Sequence, residues 1–383
     1  MAESRPNKRI DESAVKRRRR TVLIVMAEVI VCLLLSIVAY GVSVLNSYKI
    51  QDLGTDIFID TEQKTRIETV YVTDAEGKTY AQPTEIPVIS TMDGYRNILV
   101  LGVDESELNT DVIIIVSLNN DTGEIRMISV LRDTMMRFED GTRKKSFGKA
   151  NEQYYAGISE TVSMFNRNLG LNIREFVVVN WFGVATVVNQ LGGIEMELPN
   201  NQLFISEFNG YLTAVNDKTG IWAPQIWEPG IYNMSGTQVV AYCRIRHVGN
   251  DWGRAANQRV AIGKILEKAK SIAKQGDFRT LMRVVQTALG NVTTNMKLPD
   301  IMYLATNITK YSMGETKQFP ETLATTGIKN LESKYGVSDP LVAADFAEEV
   351  RKVHVFLFDD YDYVPSEFIQ NISNQLNRDR AGS

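Results

Sequence analysis

Apolar and polar positions follow three regimes along this chain. Residues 21–45, TVLIVMAEVIVCLLLSIVAYGVSVL, are apolar almost throughout, with Glu28 the one ionisable side chain. At about 1.5 Å per residue such a helix reaches roughly 38 Å, enough to cross a bilayer with some tilt. A cleaved signal peptide has a shorter apolar core, about 7 to 15 residues, and no small-x-small site follows promptly, so the run is expected as an uncleaved anchor. Residues 46–93 are polar, with Pro83 and Pro87 near the end, and predict a stalk with a short strand at IETVYVTD.

From residue 94 the texture changes. NILVLGV (97–103), DVIIIVSL (111–118) and EIRMISVL (124–131) are β-branched apolar runs, expected as buried strands, the last two joined as a hairpin by NNDTG. NEQYYAGISETVSMFNRNLG has helical spacing and stops at Gly170. REFVVVN predicts another strand, WFGVATVVNQLGG a short helix and IEMEL a strand. Residues 200–234 read as a loop-rich insertion whose Trp222 and Trp227 either pack locally or line a sugar platform. SGTQVVAYCR predicts a helix capped by Ser235, and GRAANQRVAIGKILEKAKSIAK a long amphipathic one. Helices are expected around 278–289, 298–313 and 340–352, then a late strand, KVHVFLF. Strands interleaved with helices predict an α/β fold, an α-β-α sandwich: a mixed central sheet with helices on both faces, preceded by one transmembrane helix. The expected divisions are a basic tail at 1–20, the anchor at 21–45, the stalk at 46–93, a core at 94–275 and a helical C-terminal extension at 276–383 packed on that core.

Charge sharpens this picture. The first twenty residues hold eight Lys or Arg against three acids, and KRRRR abuts the apolar run. That places the tail in the cytoplasm and the rest outside the cell. The chain beyond residue 45 holds 34 basic and 42 acidic residues, so it repels polyanions such as nucleic acid. Against that background two stretches are locally positive. Residues 126–149 carry seven Lys or Arg against three acids, and residues 242–259 carry four Arg against one acid. An anion site assembled from both is the simplest reason for such clustering.

The chemistry is bounded by what is scarce. Two histidines, His247 and His354, and one cysteine outside the apolar run, Cys243, are too few for a zinc site or a Ser-His-Asp triad. GTRKKSFGKA has six residues between its glycines and alanine where a P-loop needs Ser or Thr. Asp104 and Asp111, at facing ends of adjacent strands, are either turn formers or oxygen ligands for a hard cation such as Mg2+. Arg132 and Asp133 follow a buried strand directly, where open sheets bind ligands. Lys149 and Asn151 begin a helix whose backbone N–H groups add a positive field. Arg244 and Arg246 lie two apart, and Arg254 and Gln258 share a helix face. Arginine suits phosphate because its planar fork donates paired hydrogen bonds.

The ordered set LGVD…TD, SVLRDT, GKANEQY, VNWFGVATVVNQLGGIEMELP and MSGTQVVAYCRIR…DWGRAANQ resembles the LytR-CpsA-Psr family of bacterial cell-envelope proteins over about residues 95–275. The resemblance implies a phosphotransferase that moves an anionic glycopolymer, teichoic acid or capsule, from a polyprenyl-pyrophosphate carrier to peptidoglycan, with pyrophosphate hydrolysis as a side activity. It implies a single-pass protein of a Gram-positive cell membrane, with its C-terminal domain extracellular. It further implies Mg2+ on Asp104 and Asp111, catalytic roles for Arg132, Asp133 and Asp111, and a pyrophosphate grip of Arg132, Lys149, Arg244, Arg246, Arg254 and Gln258, beside a hydrophobic tunnel whose wall includes FVVVNWFGVATVV. The chain departs from the family pattern at Leu131, Asn109 and Asn257, which stand where proline and two arginines are usual. Two other readings stay open: a weakly catalytic polyprenyl-phosphate-binding regulator, and a scaffold of envelope assembly.

Overall fold

The structure, a computed structural model, describes residues 49–53, 65–73, 79–87, 91–103, 110–138, 146–246 and 250–382. The tail and apolar run expected at 1–20 and 21–45 lie outside them, as do Asp104, Asn109 and His247. Among the described residues no helix is long and apolar enough to cross a membrane. The chain divides into two units, Met1–Tyr48 and Lys49–Ser383, and all that follows concerns the second.

Its strands are β1 (Lys49–Ile50), β2 (Thr65–Thr73), β3 (Thr79–Pro87), β4 (Tyr95–Val103), β5 (Thr110–Asn119), β6 (Glu124–Val130), β7 (Met135–Arg137), β8 (Phe147–Lys149), β9 (Glu175–Asn180), β10 (Ile194–Leu198), β11 (Gly230–Met234), β12 (Val292–Thr294) and β13 (Ser312–Phe319). Its α-helices are α1 (Ile158–Leu169), α2 (Trp181–Gln190), α3 (Gln202–Thr219), α4 (Gly236–Tyr242), α5 (Asn250–Lys274), α6 (Phe278–Leu289), α7 (Leu298–Thr306), α8 (Ile328–Tyr335), α9 (Phe346–Phe358) and α10 (Glu367–Ala381). Seven strands form a mixed sheet in the order β1-β12-β9-β4-β5-β6-β13. The β4–β5 and β5–β6 pairs are antiparallel, while β4–β9 and β6–β13 are parallel.

The β5–β6 hairpin follows from its turn residues. Asn119 Oδ1 accepts from the backbone N–H groups of Asp121 and Thr122, and Gly123 supplies the φ of 73° that closes the turn. One face of the sheet buries Leu99, Leu101, Ile113, Ile115, Phe176 and Val178 against α1, α8, α9 and α10. Across the other face, α2, α3, α4 and the β10–β11 ribbon build a second core around Phe208, Leu212 and Val239. Gly236 permits this packing: a Cβ there would stand 1.9 Å from the Ala185 carbonyl oxygen.

Three expectations need correction. Residues 200–234 are not mainly loop, because Phe204, Ile205, Phe208, Leu212 and Val215 recur at helical spacing and are buried along α3. KVHVFLF is not a strand but the second half of α9, whose Phe346, Val350, Val353 and Leu357 face the core. The helix expected over 298–313 ends at Thr306, and β13 follows. The central sheet also draws on segments outside 94–275, since β1 precedes that range and β12 and β13 follow it.

Candidate functional site

Register brings the candidate residues to one end of the sheet. Ile114 pairs with Ser129 across β5 and β6, so extending the antiparallel register three residues sets Arg132 opposite Asp111. Val103 pairs with Asn180, which ends β9 at the same edge and caps α2 by accepting from Gly183 N–H. Asp111 Oδ1 accepts from Arg132 Nη1 at 2.6 Å and lies 3.8 Å from Arg246 Nη2. The two positive segments, far apart in sequence, therefore share one carboxylate oxygen.

Asp133 is bound on both sides, by Arg132 Nε at 3.2 Å and Lys149 Nζ at 2.8 Å. Burial alone would raise its carboxyl, but Lys149 and Arg132 outweigh it and hold the group below the usual carboxylate range. For Arg132 the same contest runs the other way: burial opposes the charge, while Asp133 and Asp111 more than restore it and raise its pKa. The helix expected to begin at Lys149 and Asn151, with a positive field from its backbone N–H groups, is a short 3-10 turn that follows Lys149. The 3-10 turn Ala150–Ala156 spends its first N–H groups on Thr134 and Arg132 carbonyls, so it fastens the Arg132–Asp133 loop.

Behind this cluster lies a cavity of about 310 Å³. Its mouth presents Asp111, Arg244, Arg246, Arg254 and Gln258, and its apolar wall includes Val100, Val112, Val179, Val184, Val240, Ala261, Ile262 and Ile265. Arg132, Asp133 and Lys149 do not line the wall and reach the mouth through Asp111. Arg254 is 5% exposed. Its Nη2 pairs with Asp251 at 3.0 Å, but its Nη1 is buried with no hydrogen-bond partner among the described residues. Burial, then the neighbouring Arg246 charge, lower its pKa. Gln258 Nε2 donates to the Cys243 carbonyl at 3.3 Å, and Asn257, where the family pattern has arginine, donates to the Tyr242 carbonyl at 3.4 Å. Burial pushes the Cys243 thiol up to about 12, so it stays protonated at neutral pH.

Sequence reasoning passed over two aromatic partners. The Arg244 guanidinium stacks 3.5 Å from the Trp181 ring centroid and 5.1 Å from that of Tyr211. Trp181 stood inside the expected tunnel segment, where its role as a cation partner carried no separate signal. Tyr211 fell in the stretch read as loop. Glu207, on the same helix, accepts from the Arg246 backbone N–H at 2.8 Å.

For Mg2+ the donor chemistry is partly in place. Asp111 lines the cavity and is bound through Oδ1 by Arg132 at 2.6 Å, with Arg246 at 3.8 Å, and a carboxylate is the donor type that suits a hard cation. The second expected ligand, Asp104, lies outside the described residues, and no group of three or more Asp, Glu, His or Cys side chains placed to hold a metal ion occurs among them.

Comparison with known proteins gives a consistent result. The sequence profile of the LytR_cpsA_psr family matches residues 60–344. The polyisoprenyl-teichoic acid–peptidoglycan teichoic acid transferase TagU of Bacillus subtilis is 27% identical over 262 residues, covering 67% of this chain and 77% of that protein. Biofilm regulatory protein A of Streptococcus mutans is 25% identical over 216 residues, covering 53% and 50% respectively. In fold the chain is similar to TagT bound to LIIa-WTA, with a TM-score of 0.54, 19% identity and coverage of 76% of this chain and 100% of that one. It is also similar to TagT with bound octaprenyl pyrophosphate lipid, with a TM-score of 0.51, 18% identity and coverage of 73% and 95%.

Proposed function

This chain belongs to the LytR-CpsA-Psr family, and from that premise we propose that it transfers an anionic cell-wall glycopolymer from a polyprenyl-pyrophosphate carrier to peptidoglycan. One observation carries the reading. Arg254 is a buried guanidinium beside like charges, with a free donor, at the entrance of an apolar cavity. Such an arrangement costs energy when empty and is relieved by an anion attached to an apolar chain. A prenyl diphosphate has that shape: two phosphates for Arg132, Arg244, Arg246 and Arg254, and a hydrocarbon tail for the wall of Val184, Ile262 and Ile265.

In this reading the arginines hold the diphosphate and neutralise charge that builds as an acceptor hydroxyl attacks the sugar-bound phosphorus. The new P–O bond joins glycan to acceptor, the bond to the bridging oxygen breaks, and polyprenyl phosphate leaves with the electron pair. The hydroxyl proton passes to a carboxylate. Asp133, already held by two cations, is a weak acceptor and serves to position Arg132 and Lys149. Asp111, with one cation at hydrogen-bond distance and a second at 3.8 Å, is the less committed carboxylate and the better base. Asp111 with Asp104 would hold Mg2+, which supplies further charge neutralisation on the phosphates when bound. Each charge-assisted contact contributes about 1.5 to 3 kcal/mol, so Asn109 and Asn257 in place of arginine mark a weaker grip. The apolar run at 21–45 and the basic tail before it support a single-pass anchor with the catalytic unit outside a Gram-positive cell membrane.

The test is turnover of a prenyl-pyrophosphate-linked saccharide by the full chain with Mg2+. Loss in Arg132→Ala supports transfer; wild-type binding without turnover supports the regulator or scaffold instead.

A further inference from the structure

The loop Gly220–Gly230, GIWAPQIWEPG, is pinned by side chains that have no place in the site described above. Asn216 on α3 clasps Ala223, donating to its carbonyl at 2.9 Å and accepting from its N–H at 3.1 Å. Asn209 clasps Ile226 in the same way, at 2.7 and 3.0 Å. Gln238 Nε2 donates to the Pro224 carbonyl at 2.9 Å, and the Tyr232 hydroxyl donates to the Glu228 carbonyl at 3.0 Å. Ala223 and Ile226 pack inward, while Trp222 stays 77% exposed and Trp227 56% exposed. Local packing does not account for these indoles, because the loop holds them out in water on a fixed backbone.

We propose that Trp222 and Trp227 form a platform that stacks the sugar rings of an uncharged glycan. An indole offers a flat apolar face for the C–H side of a pyranose, and its N–H reaches a hydroxyl or acetamido oxygen. A pinned loop binds without the ordering cost that a mobile one would carry. Charge selects the occupant. Between Ile194 and Met234 the chain has five acids and a single basic residue, Lys218. Glu195, Glu197, Asp217 and Glu228 are all exposed. Carboxylates accept hydrogen bonds from sugar hydroxyls but repel phosphate-rich polymers, anionic lipid surfaces and a second copy of the same face. α3, which clasps the loop, also carries Tyr211 in the cavity wall and Glu207 on the Arg246 backbone. The platform is thus held at a set position relative to the cationic mouth, where it would present an acceptor glycan strand. That last assignment rests on the transfer reading; glycan binding itself does not.

The experiment titrates the full chain in detergent micelles with a β-1,4-linked N-acetylglucosamine hexasaccharide, read by saturation-transfer NMR and tryptophan fluorescence. Saturable binding is expected. The Trp222→Ala/Trp227→Ala double variant weakens it by about tenfold or more, as for an exposed aromatic anchor pair, and Trp222→Phe retains most of it. Both positions are exposed, so melting temperatures stay close to wild type. Absence of saturable binding, or binding indifferent to the double variant, overturns the proposal. So does a glycerol-phosphate oligomer that binds through the same indoles, or indole-dependent self-association. Binding of a short prenyl diphosphate to the double variant stays within about twofold of wild type, because neither indole touches the arginine cluster. Glycan platform and donor site can therefore fail separately.

Discussion

Leu99, Leu101 and Val103 of β4 point to one face of the central sheet and are at most 2% exposed, whereas Val100 and Gly102, out of phase by one residue, remain half-buried against the cavity. The same strand thus serves two purposes. On the first face, α1, α8, α9 and α10 bury that row within one continuous apolar core. On the second, α2 and α5 stand apart enough to leave a volume that the protein does not fill. Hydrophobicity alone does not separate the two, since both rows are aliphatic. The charged residues at the end of the second row distinguish it.

If the first face is sealed core, truncating it must cost stability. Phe176→Ala, at a side chain 0% exposed, is expected to lose about 3 to 5 kcal/mol in urea denaturation. A loss under about 1 kcal/mol would mean that this face packs as loosely as the other.

At the mouth of the second face the expectation inverts. Arg254→Ala lowers donor-lipid turnover by about 10² to 10³-fold, the usual effect of removing one charge-stabilising donor. Stability holds or rises, because burial and Arg246 already disfavour the Arg254 charge. Joint loss of folding and turnover would make Arg254 an ordinary structural residue.

Acid sharpens the contrast further. Lys149 and Arg132 depress the Asp133 carboxyl despite its burial, so its folded pKa lies below the unfolded value of about 3.9. The stabilisation is therefore fully present above that unfolded value and is lost as pH falls through the folded one. Asp133→Asn should flatten the acid limb of the stability curve measured by thermal melts, and an unchanged limb would contradict the pairing. Smallest is Val184→Ala in the cavity wall. It removes two CH2 equivalents from the wall and is expected to weaken prenyl diphosphate binding by up to about fifteenfold, at about 0.8 kcal/mol for each, with little change in melting temperature.

Much of this was readable from the residues. The apolar runs of β4, β5, β6 and β9 and the Asn119–Gly123 turn announce the sheet, and the arginine clusters announce the mouth. The failures have particular causes. The polar pattern of β13, SMGETKQF, fits a strand at the sheet edge and carries no core signature. In α9 the run VHVFLF has β-like composition, while its burial repeats at helical spacing. α3 was hidden by Gly210 and its asparagines, although Asn209 and Asn216 are the clasps of the tryptophan loop. The contact of Arg244 with the Trp181 and Tyr211 rings joins residues distant in sequence, and no local pattern encodes it.

The most direct test of the open face is a crystal structure of the protein with a short prenyl diphosphate such as farnesyl diphosphate. The diphosphate is expected among the guanidinium groups of Arg132, Arg244, Arg246 and Arg254, with the chain running along Val184, Ile262 and Ile265. Density for the ligand at any other place, with this cavity closed or filled by side chains, would contradict the account.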